Sequence, residues 1–379
     1  MLGLEVTQAV QDVAHHVVLI RGKATVVRAY VVPGSALPRP IRVTGELTWR
    51  ALPGGATGTL MSVRPVDLPA GAPAHLDTLR DREARSLNFV LPAEALSGSS
   101  VELRLNRVTA PGGEPAAPLA GNRDATVRLE PGVPLRIRVI GLRYKDELHS
   151  YEPDDLHFRY IRSWLGRAYP VPSVEWSQLT VDAKFSPPFE QPTQVSGGTA
   201  EVANSQIAAL RAADLATGTH PRTHYYGLVS DGSRDDYFVR GLAFSIPQQP
   251  DPTAVASGPA GAGGGFFGDE DESYADWYCG HELGHTFGRY HPGFPPPDVE
   301  GGQTKDDLHF PYDDGRISGA DPRFVGFDVG DQALGQPMRA LPGSSWHDVM
   351  TYMPLQWVSP YTYQALYRRI QDEARLHGS

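Results

Sequence analysis

The chain has 379 residues, 34 basic and 44 acidic side chains, a formal charge of −10 and 40% hydrophobic residues. Its length supports two to three domains of ~150 residues each, and the hydrophobic share excludes a disordered chain even though glycine (40) and proline (34) are frequent. Scattered basic residues exclude nucleic acid as a partner, no run of 18 apolar residues offers a membrane span, and the lone Cys279 excludes an internal disulfide.

The opening MLGLEVTQAVQD has neither a positive n-region nor an apolar h-region, so no signal peptide is expected in it. The first third then predicts strands over Val17–Ile20, Ala24–Val32, Ile41–Trp49, Ser86–Leu91, Val101–Val108 and Ala125–Leu129. Clusters such as Pro33-Gly34, Pro53-Gly54-Gly55 and Pro111-Gly112-Gly113 separate them. Short strands at this spacing predict an all-β sandwich of immunoglobulin-like architecture over residues 1–131, an accessory domain without ligand-like clusters. The run VTQAVQ followed by LIRGKATVVRAYVV resembles β-sandwich modules found ahead of bacterial extracellular hydrolases.

At Glu130-Pro131-Gly132 the pattern changes, and a second domain is expected over 132–379. Leu135–Leu142 predicts a strand, Leu156–Leu165 and Ala200–Leu215 predict helices, and His224–Val229 and Phe238–Ile246 predict further strands. Alternating elements of this kind predict an α/β domain with a mixed sheet. Pro247–Gly268, with Gly261, Gly263, Gly264 and Gly265, lacks the Lys-Ser/Thr ending of a phosphate loop and is expected to be a plain loop. Between Asp251 and Asp331, 16 acidic residues face only 4 basic ones.

CGHELGHTFGRYH carries the chemistry. His281 and His285 lie four residues apart, so on a helix their rings project from nearly the same face and reach one metal. Gly288 supplies a position that tolerates φ > 0, where the helix ends and the chain swings His291 in as a third ligand. Composition alone produces all five motif residues by chance on the order of once in ten thousand such chains. Cys279 projects from the opposite helix face and is expected to be a buried thiol, not a ligand.

His281, Glu282, His285, Gly288 and His291 meet every position of HExxHxxGxxH, and in this the chain resembles the metzincin zinc peptidases. His347-Asp348-Val349-Met350-Thr351-Tyr352 is similar to the family's methionine turn, with Met350 beneath the metal and, as in the astacin-like and serralysin-like branches, Tyr352 reaching toward it. Pro292 after the third histidine is also similar to serralysins. The resemblance implies a secreted or extracellular zinc endopeptidase: Zn2+ on the three histidines, Glu282 as general base and Tyr352 facing the oxyanion. The strand Val239–Ser245 is the candidate edge for an extended protein or peptide substrate, through Val239, Gly241, Leu242 and Ala243.

The likeness has limits. Met350 follows His291 by 59 positions, longer than in compact serralysins, with no GGxGxDxUx repeats and no recognisable propeptide. Asp306, Asp307, Asp313, Asp314, Asp321, Asp328 and Asp331 lie among glycines and make Ca2+ a second candidate cofactor, against the simpler reading of solvated loop carboxylates. Two other functions stay open: a zinc hydrolase of a non-peptide amide, and a binding protein with a vestigial zinc site.

Overall fold

The computed structural model describes residues 1–110, 120–193, 195–231, 238, 240–263, 269, 271–299, 302–319 and 323–378. These form a mixed α/β structure, mostly strands with five α-helices, in two compact units. Among the described residues no helix is long and apolar enough to cross a membrane.

The first unit comprises Met1–Gly132, Arg316–Trp346 and Trp357–Pro360. Its long strand Ile41–Leu52 alternates between buried and less buried residues, so Val43, Leu47, Trp49 and Ala51 share the inward face. That strand pairs antiparallel with Thr57–Met61, Val66–Leu68 and Ser100–Thr109, and the last of these with Asp124–Arg128. A second antiparallel sheet orders Gly3–Thr7, Val26–Tyr30 and Leu87–Val90. The two share one core, in which Val6, Val27, Ala29 and Phe89 meet Leu47, Leu103 and Leu105. Gly45 permits the close approach, since a Cβ there would stand 2.8 Å from Leu87 Cδ1.

Val26–Tyr30 is buried on both faces. Its other face carries Val26, which packs with Val325, Phe327 and Ala340, and Arg28, whose guanidinium lies 4.8 Å from the Phe327 ring centroid. These come from a third sheet, Arg339–Pro342, Val325–Asp328 and Val10–Gln11. Glu5, fully buried, accepts from Arg80 Nε at 2.6 Å and from the Tyr30 hydroxyl at 3.0 Å, while Arg80 Nη1 donates to the Arg323 carbonyl at 2.7 Å.

The unbroken second domain expected over 132–379 is therefore interrupted: Arg316–Trp346 and Trp357–Pro360 return to the N-terminal unit. The physical cause is the apolar second face of Val26–Tyr30, which an all-β module ending at 131 leaves without cover. A fragment Gly132–Ser379 keeps Val325–Asp328 but loses its partner strand Val10–Gln11 and the face beneath it. We expect that fragment to precipitate or to expose Phe327 and Leu341 to a dye such as ANS. Soluble fragment with one cooperative melt and no dye binding would contradict this.

The second unit comprises Val133–Gly315, His347–Gln356 and Tyr361–Ser379. Leu135–Lys145 is its central strand, parallel to Val174–Asp182 on one side and to His224–Ser230 on the other. Val255–Ala260 runs parallel to His224–Ser230, and the short Leu242–Ala243 closes that side antiparallel. Asp155–Ala168, Gly198–Ala216, Ala275–Thr286 and Pro360–His377 are the helices.

Several expectations are corrected. Val17–Ile20 is not a strand, and only Ile20 makes an isolated bridge, to Glu130. Phe238–Ile246 contributes only Leu242–Ala243 as strand, and Val239 lies outside the described residues. Pro247–Gly268 was expected to be loop, yet it contains the fully buried Val255–Ala260. Its small residues mask the β signal but suit the packing: a Cβ on Gly258 would collide with the Tyr226 hydroxyl and touch Tyr278. Gly264 and Gly265 lie outside the described residues.

Candidate metal centre

Ala275–Thr286 is buried along its whole length. Gly280 and Gly284 each cost about 1 kcal/mol of helix propensity relative to alanine, and close packing requires them. A Cβ on Gly280 would strike the Trp164 ring, and one on Gly284 would sit 2.5 Å from Met350 Sδ. The helix ends in a Schellman motif: Gly288 N–H donates to the His285 carbonyl at 2.8 Å and Arg289 N–H to the Gly284 carbonyl at 2.9 Å. Gly288 has φ +77°, the left-handed conformation expected of it, and the chain turns there toward His291.

One ring nitrogen each of His281, His285 and His291 lies within 4.8 Å of the others, so the three can hold a metal ion. His281 Nε2 and His291 Nε2 are 3.3 Å apart. The opposite nitrogens are tied down: His281 Nδ1 to the Val349 carbonyl at 2.7 Å, His285 Nδ1 to the Arg289 carbonyl at 2.7 Å, and His291 Nδ1 beside Asp306 Oδ2 at 3.4 Å. A carbonyl accepts only from N–H, so Nδ1 of His281 and His285 carries the proton and Nε2 keeps its lone pair for a metal.

Burial disfavours protonation of these rings and lowers His281 to about 4 and His291 to about 3, while burial and the other two rings hold His285 well below its ordinary value. A folded-state value below the unfolded one means that the unfolded chain binds more protons between about pH 4 and 6.5. The stability is present above pH 6.5 and lost as pH falls; for His281 alone this amounts to roughly 3 kcal/mol over the full window. Burial raises Glu282 to about 8, and its stability is lost in the opposite direction, as pH rises from about 4.5 to 8. With three imidazoles against one carboxyl, the melting temperature of metal-free protein is expected to fall from pH 6.5 to 4.5 and to fall less steeply in His281→Asn. A wild-type melting temperature that stays constant over that range would refute the assignment.

Glu282 is 6% exposed and accepts a hydrogen bond from the Ala243 backbone N–H, which sets the Leu242–Ala243 edge strand against the carboxylate. Gly241, at φ +145°, lies so close that any Cβ would strike the Glu282 side chain. Gly241→Ala should cost about 1–3 kcal/mol, through overpacking and a strained backbone. Urea denaturation showing unchanged stability would contradict the close approach.

Met350 is 1% exposed and lies under the helix against Gly284. Its turn is tied by Asp348, whose Oδ1 accepts from Met350 N–H at 2.9 Å and whose carbonyl accepts from Thr351 N–H at 3.0 Å. Tyr352 stands with its ring centroid 5.6 Å from that of His281 and 5.2 Å from that of His291. Half of its surface meets solvent; the other side is dry, and this desolvation, with the charge of Glu282, raises its phenol to about 12.

Sequence spacing gave no sign of the supports around His291. Its carbonyl accepts from the N–H groups of Asp306 and Asp307 at 3.0 and 2.8 Å. Asp307 also pairs with Arg289 at 3.0 Å and accepts from the Tyr361 hydroxyl at 3.0 Å. Gln303 donates to the Met350 carbonyl at 3.1 Å and accepts from Gly293 N–H at 3.3 Å, joining the methionine turn to the segment after His291. Arg289 within the motif was the one legible hint, as a cation beside an acidic segment.

Among the described residues, the aspartates that suggested Ca2+ form no group that could hold an ion. Asp306 and Asp307 brace His291, Asp328 accepts from Gly330 N–H, Asp331 accepts from Ala333 N–H, and Asp313 and Asp314 are exposed. Asp321 lies outside the described residues. Cys279 is fully buried, as expected of a packing thiol. Comparison with known protein families and with curated proteins finds no match for this chain.

Proposed function

We propose that the protein is a zinc-dependent endopeptidase of metzincin type. The observation that carries this reading is the convergence of three buried imidazoles, with Nδ1 of His281 and His285 engaged, beside a buried Glu282 that an edge-strand N–H contacts. The donor set fits zinc: three neutral imidazoles are borderline-soft ligands, and three protein ligands rather than four are the mark of catalytic zinc. When bound, zinc supplies Lewis acidity that polarises a carbonyl and makes hydroxide available near neutral pH.

The chain's own groups do the rest. A cation held by the three neutral histidines would favour the ionised form of Glu282, which then takes a proton from water and returns it to the leaving amine. The Tyr352 hydroxyl, protonated at neutral pH, donates to the developing oxyanion. The Gly241–Ala243 edge is where an extended peptide adds by main-chain hydrogen bonds. In the first unit we read the two face-to-face antiparallel sheets as an immunoglobulin-like sandwich serving recognition.

Zinc-loaded protein incubated with a peptide library and analysed by mass spectrometry tests this reading. New peptide termini that disappear with Glu282→Gln support it. Hydrolysis confined to non-peptide amides moves the protein to that class of hydrolase, and no turnover on either leaves a binding protein.

A further inference from the structure

A second cluster lies at the start of the metal-ligating helix. Carboxylate oxygens of Asp269, Asp271 and Asp276 lie within 4.8 Å of one another. Asp276 sits in the helix's first turn, and Asp271 stands shortly before it. Asp269 is 7% exposed and Asp276 1%. Each has an Oδ2 that is shut off from solvent and makes no hydrogen bond. Asp276 Oδ1 accepts from Trp277 N–H at 2.8 Å, so its other oxygen is the orphan.

Two buried carboxylate oxygens without donors are destabilising, more so when ionised, unless something pairs with them. The cation whose charge acts on Asp276 is Arg167, set against the charges of Asp271 and Asp269. Burial and mutual repulsion accordingly push Asp269 up to about 7 and Asp276 well above the carboxylate range in the absence of a cation. The donors are all oxygens, the preference of hard cations. Two oxygens on one calcium ion at about 2.4 Å stand at most about 4.8 Å apart, so carboxylate oxygens that lie within that distance of one another can share one such ion.

We propose that Asp269, Asp271 and Asp276 bind one divalent cation of the calcium class, which ties down the entry of the Ala275–Thr286 helix. The site is separate from the three histidines. Its effect reaches them through the helix, because Asp276 precedes His281 by little more than one turn. Calcium binding therefore stiffens the element that presents His281 and His285.

The test uses the full-length chain freed of metal on a chelating resin. Terbium luminescence, sensitised by Trp277 and Tyr274 beside the cluster, and thermal melting in millimolar calcium are the readouts. One terbium per chain, displaced by calcium, and a calcium-dependent rise in melting temperature of several degrees are expected. Asp271→Asn, at a half-buried position that tolerates the change, should weaken calcium at least ~10-fold. Asp276→Asn should abolish the calcium shift while raising the melting temperature of metal-free protein at neutral pH, because it removes a carboxyl that folding otherwise forces to take up a proton. His291→Ala should leave calcium binding unchanged. No terbium signal with no calcium shift in folded wild-type protein would overturn the proposal, as would equal calcium shifts in wild type and both aspartate variants.

Discussion

Glu282→Gln is expected to keep the fold and the metal while losing at least ~10²-fold in turnover, the lower end of a general-base contribution. The amide has the shape of the carboxyl and still accepts from the Ala243 N–H through its carbonyl oxygen, so the edge strand stays in place. It cannot take up a proton. Burial holds the native carboxyl near 8 without a metal, so folding at neutral pH makes it take up a proton; glutamine carries no such cost and should raise metal-free stability slightly. Tyr352→Phe provides the comparison: the ring tilted against His281 and edge-on to His291 remains, one oxyanion donor goes, and the loss should be smaller. Zinc content by mass spectrometry beside peptide turnover checks both. A zinc-loaded Glu282→Gln protein with near-normal turnover would remove Glu282 from the mechanism.

His291→Ala is expected to lower metal affinity by well over ~10²-fold, since loss of a group that merely orients a ligand already costs 10–100-fold. His281 and His285 remain on one helix, but two imidazoles do not complete a catalytic set. The Arg289–Asp307 pair and the Tyr361 contact, which hold the segment around position 291, do not depend on the imidazole. The variant should therefore fold. Competition against a chromogenic chelator, with circular dichroism as control, measures this. Wild-type affinity in His291→Ala would mean that another residue supplies the third donor.

Parts of the fold were legible because their signals are local. Leu135–Leu142, His224–Val229 and Ala200–Leu215 appear within a few residues of the expected bounds, since alternation and helical spacing arise from neighbours in sequence. Val174–Asp182 leaves no such signal because it is only partly buried and shows no clean alternation. Val255–Ala260 is silent for the opposite reason, as a buried strand made of small residues.

The sequence by itself determined the geometry of the histidine set along the chain. An i, i+4 pair shares a helix face by the pitch of the helix, and Gly288 ends that helix at φ +77° because glycine carries no Cβ penalty there. Only the tertiary structure decided what surrounds it: the carbonyls of Val349 and Arg289 that set which ring nitrogen carries the proton, Met350 against Gly284, Gly241 against Glu282, and the aspartates gathered before His281. It also decided that Arg316–Trp346 belongs with the N-terminal unit. Contacts across tens to hundreds of residues leave no periodic trace, because they are selected by the fit of surfaces and the pairing of buried polar groups, which exist only once the chain has folded.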